Sequence, residues 1–379
     1  MWLECFSQAK FSEPKEPDHL SGQLRIAFVS GQSQWWRKQR LVAKYLKMRL
    51  EGVIYPDVYC LPLMLSDQFD FLLEDEKVPA GKYDLIFAEL QSSDSQLRYL
   101  ESLVEAGEPP VAVIPGPPAI LSRDLTDAKL RRVKRILGKA RYVWAYSPGL
   151  KTFCDGLIGQ ERATVIPWPY DLAATQKLGR GSGPDSGRHK ILVQVPMSFH
   201  DIAQNHPFVL KGVLLDVWQE LPSALREKLT FHTFVYNSTD LEKYKSSEFA
   251  NRLPFVLERK RGYRSFVRFL GECDGVINLT SGSILGRITF LAAALGRPGI
   301  FSNNSPLNDR LYPGSGVAMF DTVRLRELVA AMLRGLANCS LSNGNTDAQL
   351  LPSLSAAAEI GDFQANQARL REIIAGRSQ

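Results

Sequence analysis

Short apolar runs recur along this chain, each closed by a glycine, proline or polar turn and most followed by a segment with helical spacing. Gln23 to Gly31 predicts a buried strand ending in a glycine turn. Trp35 to Leu50 keeps Leu41, Val42, Tyr45 and Leu46 on one side and predicts a helix. Strands are predicted over Asp57–Leu63, Tyr83–Ala88 and Val111–Ile114, with a helix over Ser95–Glu105 before the last of these. A basic helix over Asp127–Leu137 follows, then strands over Tyr142–Ser147 and Ala163–Pro167 with a helix between them.

The run Pro167-Trp168-Pro169-Tyr170-Asp171 breaks this rhythm, and Lys177 to Lys190, rich in Gly, Ser and charge, reads as a mobile linker or loop. A second series then begins. It predicts strands over His189–Pro196, Leu229–Tyr236, Gly275–Leu279 and Gly299–Phe301. Its helices are predicted over Lys211–Leu221, Tyr263–Gly271, Ile284–Leu295 and Arg324–Leu336, with a last one over Ala356–Ala375. Strands alternating with helices imply open, largely parallel sheets covered on both faces. The fold class is therefore α/β, two Rossmann-like doubly wound domains facing across a cleft. The expected division is an extension over 1–22, a first domain over 23–171, a linker over 172–190, a second domain over 191–352 and a C-terminal helix over 353–379 that packs back on the first domain. Ligands of such sheets bind outside the carboxyl ends of the strands. That places the loops after Val29, Phe87, Ile114 and Ala145 on one wall of the cleft, and those after Val195, Tyr236 and Leu279 on the other.

Composition narrows the class. With 45% hydrophobic and 23% charged residues, 379 residues suffice for two domains, and no apolar run reaches the length of a membrane span. The N-terminus has no signal-peptide pattern, and the five cysteines lie far apart without metal spacing. A cytoplasmic location with free thiols is expected, with no cofactor and no metal site. The net charge of +6 is concentrated. Arg25 to Arg49 carries seven basic residues and no acidic one, and Arg123 to Lys151 carries nine against Asp124 and Asp127. Such stretches suit a phosphorylated ligand, an anionic lipid surface or nucleic acid, or are solvated helix faces.

Candidate chemistry gathers where strands end. Asn278 to Pro298 reads as a strand, a turn through Thr280, Ser281, Gly282 and Ser283, and then a helix carrying Gly286 and Arg287 near its start. A helix N-terminus behind a Ser/Gly turn directs backbone N–H groups and positive dipole at one spot, which suits a phosphate; the plain alternative is a Ser-capped helix. His200 stands in a loop after a strand of the second series and can move a proton or bind phosphate. Glu89 follows the strand ending at Ala88, where it is either a general base for a hydroxyl or a rim carboxylate. Gly31, Gln32, Trp35, Trp36 and Arg37 follow the first strand; tryptophans beside cations stack on sugar rings or bases, or sit in a membrane interface. No Gly-x-Gly-x-x-Gly follows any strand, which argues against a dinucleotide dehydrogenase.

In order and spacing the chain resembles the retaining "group 1" glycosyltransferases of the GT-B fold. Tyr146-Ser147 followed by Val165-Ile166-Pro167-Trp168-Pro169-Tyr170-Asp171 is similar to the family's crossover into its second domain. Lys211-Gly212 resembles its Lys-Gly, Cys273 to Ser281 its aspartate-bearing strand and Pro-Ser turn, and Ala292 to Pro298 its helix end. The resemblance implies sugar transfer from a nucleotide-diphosphate sugar, UDP-sugar favoured, to an acceptor hydroxyl, retaining and metal-independent. Lys211 would hold the diphosphate, with Ser198, Thr280, Ser281, Gly282, Ser283, Gly286 and Arg287 in the donor set. Cations and backbone donors would then stabilise the charge on the leaving diphosphate. The chain departs from the family where two glutamates eight positions apart are usual: Ser283 and Leu291 stand there. Pro115-Gly116-Pro117-Pro118 replaces the family's first-domain histidine, and Met197 to His200 its arginine. The acceptor is expected to be a glycan, a lipid-linked saccharide at the membrane surface, or DNA. A DNA-modifying glycosyltransferase and a non-catalytic binding protein of the same fold are the alternatives.

Overall fold

The computed structural model describes residues 24–29, 61–62, 64–66, 69–73, 76–91, 93–116, 126–179, 188–194, 207–235, 242, 252–259, 262–279, 286–303, 306–318, 321–338 and 348–375. In the first half, β1 (Ile26–Val29), β2 (Phe69–Leu72), β3 (Leu85–Leu90), β4 (Val111–Pro115), β5 (Tyr142–Ala145) and β6 (Ala163–Val165) form a parallel sheet ordered β2-β1-β3-β4-β5-β6. The side chains alternate as strand geometry requires. Ala27, Val29, Ile86, Ala88, Val113 and Val143 pack beneath α1 (Asp94–Ala106), α2 (Asp127–Lys139) and α3 (Pro148–Ile158). Ser93, Thr126 and Ser147 cap the three helices through their side-chain oxygens. Ile26, Phe28, Leu85, Phe87, Ile114 and Trp144 face the other way, into a core shared with the second half.

The crossover leads into α4 (Leu172–Gly179). The second sheet contains β7 (His189–Val193), β8 (Leu229–Val235), β9 (Phe255–Arg259), β10 (Gly275–Asn278), β11 (Gly299–Ser302) and β12 (Gly316–Val317), all parallel, in the order β12-β11-β10-β7-β8-β9. Around it lie α5 (Pro207–Glu220), α6 (Tyr263–Glu272), α7 (Arg287–Ala294), α8 (Pro306–Leu311) and α9 (Thr322–Ala337). The chain ends in α10 (Leu354–Ile360) and α11 (Phe363–Ile374).

Four aromatic rings join the halves. Tyr146 stacks on Trp168 at 4.9 Å, Trp168 on Tyr170 at 5.7 Å, and Tyr170 on Phe290 of α7 at 4.1 Å. Stacking of this kind adds about 0.5–1.5 kcal/mol per pair beyond the burial itself. Leu370 and Ile373 of α11 enter the same core, the Tyr142 hydroxyl donates to the Ile374 carbonyl at 3.4 Å, and Asn366 Nδ2 to the Trp168 carbonyl at 3.1 Å. Close backbone approach fixes α4 beside α6: a Cβ on Gly271 would stand 2.6 Å from the Gly179 carbonyl oxygen.

Several boundaries differ from the sequence expectation. The strand paired with β1 on its outer side is Phe69–Leu72, which was not expected; of the strand expected over Asp57–Leu63 only residues 61–62 are described, and there the Pro62 carbonyl accepts from the Leu65 and Ser66 amides, so that Leu61, Pro62 and Met64 make a 3-10 turn with Leu61 and Met64 buried. Residues 172–179 of the expected linker are helical, with Thr175 and Leu178 buried. β9, α8 and β12 were not expected; each is short, and tertiary pairing outweighs weak local preference there. The single helix expected over Ala356–Ala375 is two, because Gly361 ends α10 and Asp362 caps α11. The helix expected over Trp35–Leu50 lies outside the described residues.

Candidate functional site

Each sheet has one point where the chain reverses its direction of growth. In the first, β2 lies on one side of β1 and β3 on the other; in the second, β8 and β10 flank β7. At such a point two successive crossovers diverge and leave a crevice at the carboxyl ends of the central strands. The candidate site is therefore bordered by the ends of β1 and β3 and by the ends of β7 and β10.

At the first edge stands Glu89. It lies inside β3, one residue before its end and paired in register with Ile114, not beyond the strand as the sequence suggested. By alternation it shares the face of Leu85 and Phe87, making it a partly exposed carboxylate at the rim of an apolar and aromatic surface. Its Oε2 accepts a hydrogen bond from Gln91 Nε2 at 3.1 Å. Sequence reasoning missed Gln91, which bonds this carboxylate, and Gln96, which bonds the main chain on either side of Leu90. Gln96 is fully buried; its Nε2 donates to the Glu89 carbonyl at 2.6 Å and its Oε1 accepts from the Gln91 amide at 2.8 Å. The available signal was Ser93 followed three residues later by Gln96, the spacing of a capping box.

At the second edge the groups are cationic. Lys211 sits in the second turn of α5, a helix that begins at Pro207 rather than at Lys211. It is half-buried, and burial holds its ammonium below the ordinary lysine pKa. Leu210 and Leu214 beside it anchor the helix in the core of the second half. α7 begins at Arg287, capped by Gly286 rather than by a serine. Arg287 is thus the first residue of the helix, not one turn inside it, and is exposed. Gly286 takes φ 47°, a left-handed geometry that favours glycine, and it lies against the Leu307 side chain of α8. Gly31, Gln32, Trp35, Trp36, Arg37, Ser198, His200, Thr280, Ser281, Gly282 and Ser283 lie outside the described residues.

Four basic side chains of α2 pair with carboxylates of α1. Arg132 and Arg135 both pair with Glu101 of α1, Lys139 with Glu105 and Lys129 with Asp94. These charges tie α2 to α1; Arg131 and Lys134 remain on its exposed side. The two described cysteines, Cys154 and Cys273, are buried free thiols, and burial pushes Cys154 up to about 12, which suppresses the reactive thiolate. Among the described residues no cluster of three His, Cys, Asp or Glu side chains is placed to hold a metal, and no helix is long and apolar enough to cross a membrane.

No family model matches the sequence, and no curated protein matches it. Solved structures do. HepE of Anabaena, crystallised with UDP-glucose, superposes with a TM-score of 0.61 at 14% identity, over 93% of this chain and 100% of that one. Sucrose-phosphate synthase from Thermosynechococcus elongatus superposes with a TM-score of 0.58 at 12% identity, over 93% and 98%. A UDP-forming trehalose-phosphate synthase from Burkholderia xenovorans gives 0.55 at 11% identity, over 78% and 73%. The likeness runs through both sheets. The chain has the GT-B fold. Within a GT-B chain, the edge bearing Glu89 belongs to the first Rossmann-like unit and the edge bearing Lys211, Gly286 and Arg287 to the second.

Proposed function

We propose that the chain is a glycosyltransferase that moves a sugar from a nucleoside diphosphate sugar, UDP-sugar favoured, to an acceptor hydroxyl, with retention and without a metal. In this reading the first domain, 23–171, takes the acceptor and the second, 191–352, the donor. The observation that carries it is the opposite character of the two switch points on a GT-B frame: Lys211 with the glycine-capped start of α7 on one, a carboxylate on the other. HepE, whose fold this chain shares, was crystallised with UDP-glucose.

Transfer breaks the bond from the anomeric carbon to the diphosphate oxygen and forms one to the acceptor oxygen. The electron pair leaves with the nucleoside diphosphate, whose phosphate oxygen takes the acceptor proton. Lys211, Arg287 and the dipole of α7 offset the negative charge that grows on the leaving group. The same reading assigns Ser198, Thr280, Ser281, Gly282 and Ser283 to donor binding, His200 to catalysis together with Lys211 and Glu89, and Gly31, Gln32, Trp35, Trp36 and Arg37 to acceptor binding. Because the leaving phosphate takes the proton of the attacking hydroxyl, Glu89 serves by accepting a hydrogen bond from another O–H of the acceptor. Leu291, where the resembling family carries its second glutamate, is buried in α7, so the ribose must be held by other groups.

A thermal-shift panel with UDP, GDP, ADP, CMP, dTDP and their sugar conjugates, with and without divalent metal, tests the reading. A ligand bound only by the native state raises Tm. UDP and a UDP-sugar are expected to raise it without metal; no shift with any nucleotide would favour the non-catalytic alternative.

A further inference from the structure

We infer that Gln91, itself locked by Gln96, is a positioning residue that aims the Glu89 carboxylate at an O–H of the acceptor other than the one that attacks. This rests on the glycosyltransferase reading above and adds the device that sets its acceptor side. Gln96 is the third residue of α1, where a glutamine commonly turns back to the amide of the capping residue. Here the Gln96 side chain reaches past Ser93 instead. It bonds the main chain on both sides of Leu90: the Glu89 carbonyl at 2.6 Å and the Gln91 amide at 2.8 Å. One bond needs a donor and the other an acceptor, so the amide has a single satisfactory orientation, and flipping it would break both.

The consequence is a fixed exit from β3. With its main chain held at two points and its Leu90 carbonyl accepting from the Gly116 amide at 3.0 Å, the strand end cannot twist freely. Gln91 is thereby set so that its own Nε2 meets Glu89 Oε2 at 3.1 Å. Holding the Glu89 side chain beforehand removes an ordering cost from the transition state and keeps a carboxylate oxygen directed to that acceptor O–H. The arrangement occupies the β1/β3 switch point, where the topology places a ligand of the first sheet. The substrate class that fits is a polyol or sugar hydroxyl, which donates to a carboxylate.

The test uses the full chain with UDP-glucose as donor, and water and glucose as acceptors. Gln91→Leu removes the donor at similar size, Gln91→Lys restores one, and Glu89→Gln removes the carboxylate. Gln91→Leu is expected to lower kcat about tenfold while the KM for UDP-glucose and the Tm shift with UDP hold. Gln91→Lys should recover most of the rate, and Gln91→Leu should cost nothing further in the Glu89→Gln background. An unchanged kcat in Gln91→Leu, or a loss that is equal with and without Glu89, overturns the inference while leaving the glycosyltransferase reading intact. A wild-type chain that binds UDP yet transfers to neither acceptor overturns the role given to Glu89 and with it that of Gln91. A wild-type chain that neither binds UDP nor turns over UDP-glucose overturns both readings.

Discussion

The carboxyl edges of the two sheets are built alike and, among the described residues, present opposite charges at Glu89 on one and at Lys211 and Arg287 on the other. Each lies where the chain reverses around a central strand, β1 in one half and β7 in the other. In the first half that edge presents Glu89, held among side-chain amides. In the second it presents the half-buried Lys211 and the glycine-started helix α7 with Arg287. The contrast teaches that topology chooses the place and a few side chains choose the ligand. A carboxylate edge receives hydroxyl donors; an edge of cations and helix dipole receives phosphate.

One aromatic joint links the two halves that carry these edges, and removing it has the largest expected effect. Tyr170 is fully buried between Trp168 and Phe290. Tyr170→Ala should lower stability by about 3–5 kcal/mol, read by chemical denaturation. A loss under about 1 kcal/mol would mean that α11 and the glycine contacts of α4 carry the joint instead.

Lys211→Ala sharpens the contrast itself. UDP affinity measured calorimetrically should fall about tenfold or more, the size of a lost charge-assisted contact, with little change in Tm without ligand. The lowered pKa of Lys211 adds a sign. As pH rises, the ammonium loses its proton earlier than an ordinary lysine, so UDP affinity of the wild type should decline on the alkaline side sooner than solvent lysines titrate. Affinity equal to wild type would take Lys211 out of the donor edge.

The smallest effect lies at the opposite, amino-terminal end of the first sheet. Arg25 donates to Asp84 from its guanidinium at 2.7 and 3.1 Å and from its amide at 2.8 Å. The guanidinium bond, outweighing partial burial, holds the Asp84 carboxyl below the usual carboxylate range. Its contribution is therefore present above the unfolded pKa, about 4, and is lost as pH falls through the lower native value. Asp84→Asn should lower Tm slightly at neutral pH and reduce the further fall on acidification, followed by circular dichroism. A variant as acid-sensitive as wild type would assign that loss to other carboxylates.

Much of this was legible from residue order. The apolar runs around Ile26–Val29, Val111–Pro115, Tyr142–Ala145 and Gly275–Asn278 named central strands, because such strands are buried on both faces and keep an unbroken apolar signature. Phe69–Leu72 and Phe255–Arg259 escaped notice, being edge strands whose polar residues, Asp70 and Glu258, face outward or into local pairs. At the site, Glu89, Lys211, Gly286 and Arg287 could be named from position along the chain; for Gln91 there was no signal, and for Gln96 only the capping-box spacing from Ser93. Their role depends on a side chain reaching from a helix to a strand end, and no spacing rule encodes that.

By itself the sequence determined the class of fold, because the alternation of buried strands with amphipathic helices admits few arrangements other than parallel sheets covered on both faces. It also fixed which residues carry charge near strand ends. Only the tertiary structure decided which strand ends become neighbours, since the order of strands in a sheet is set by crossovers and packing between segments far apart in the chain. The same packing put Lys211 partly out of water, tied the charges of α2 to α1, and gave Glu89 its two glutamines. Burial and partnership are properties of a side chain's surroundings, and those surroundings exist only once the chain has folded.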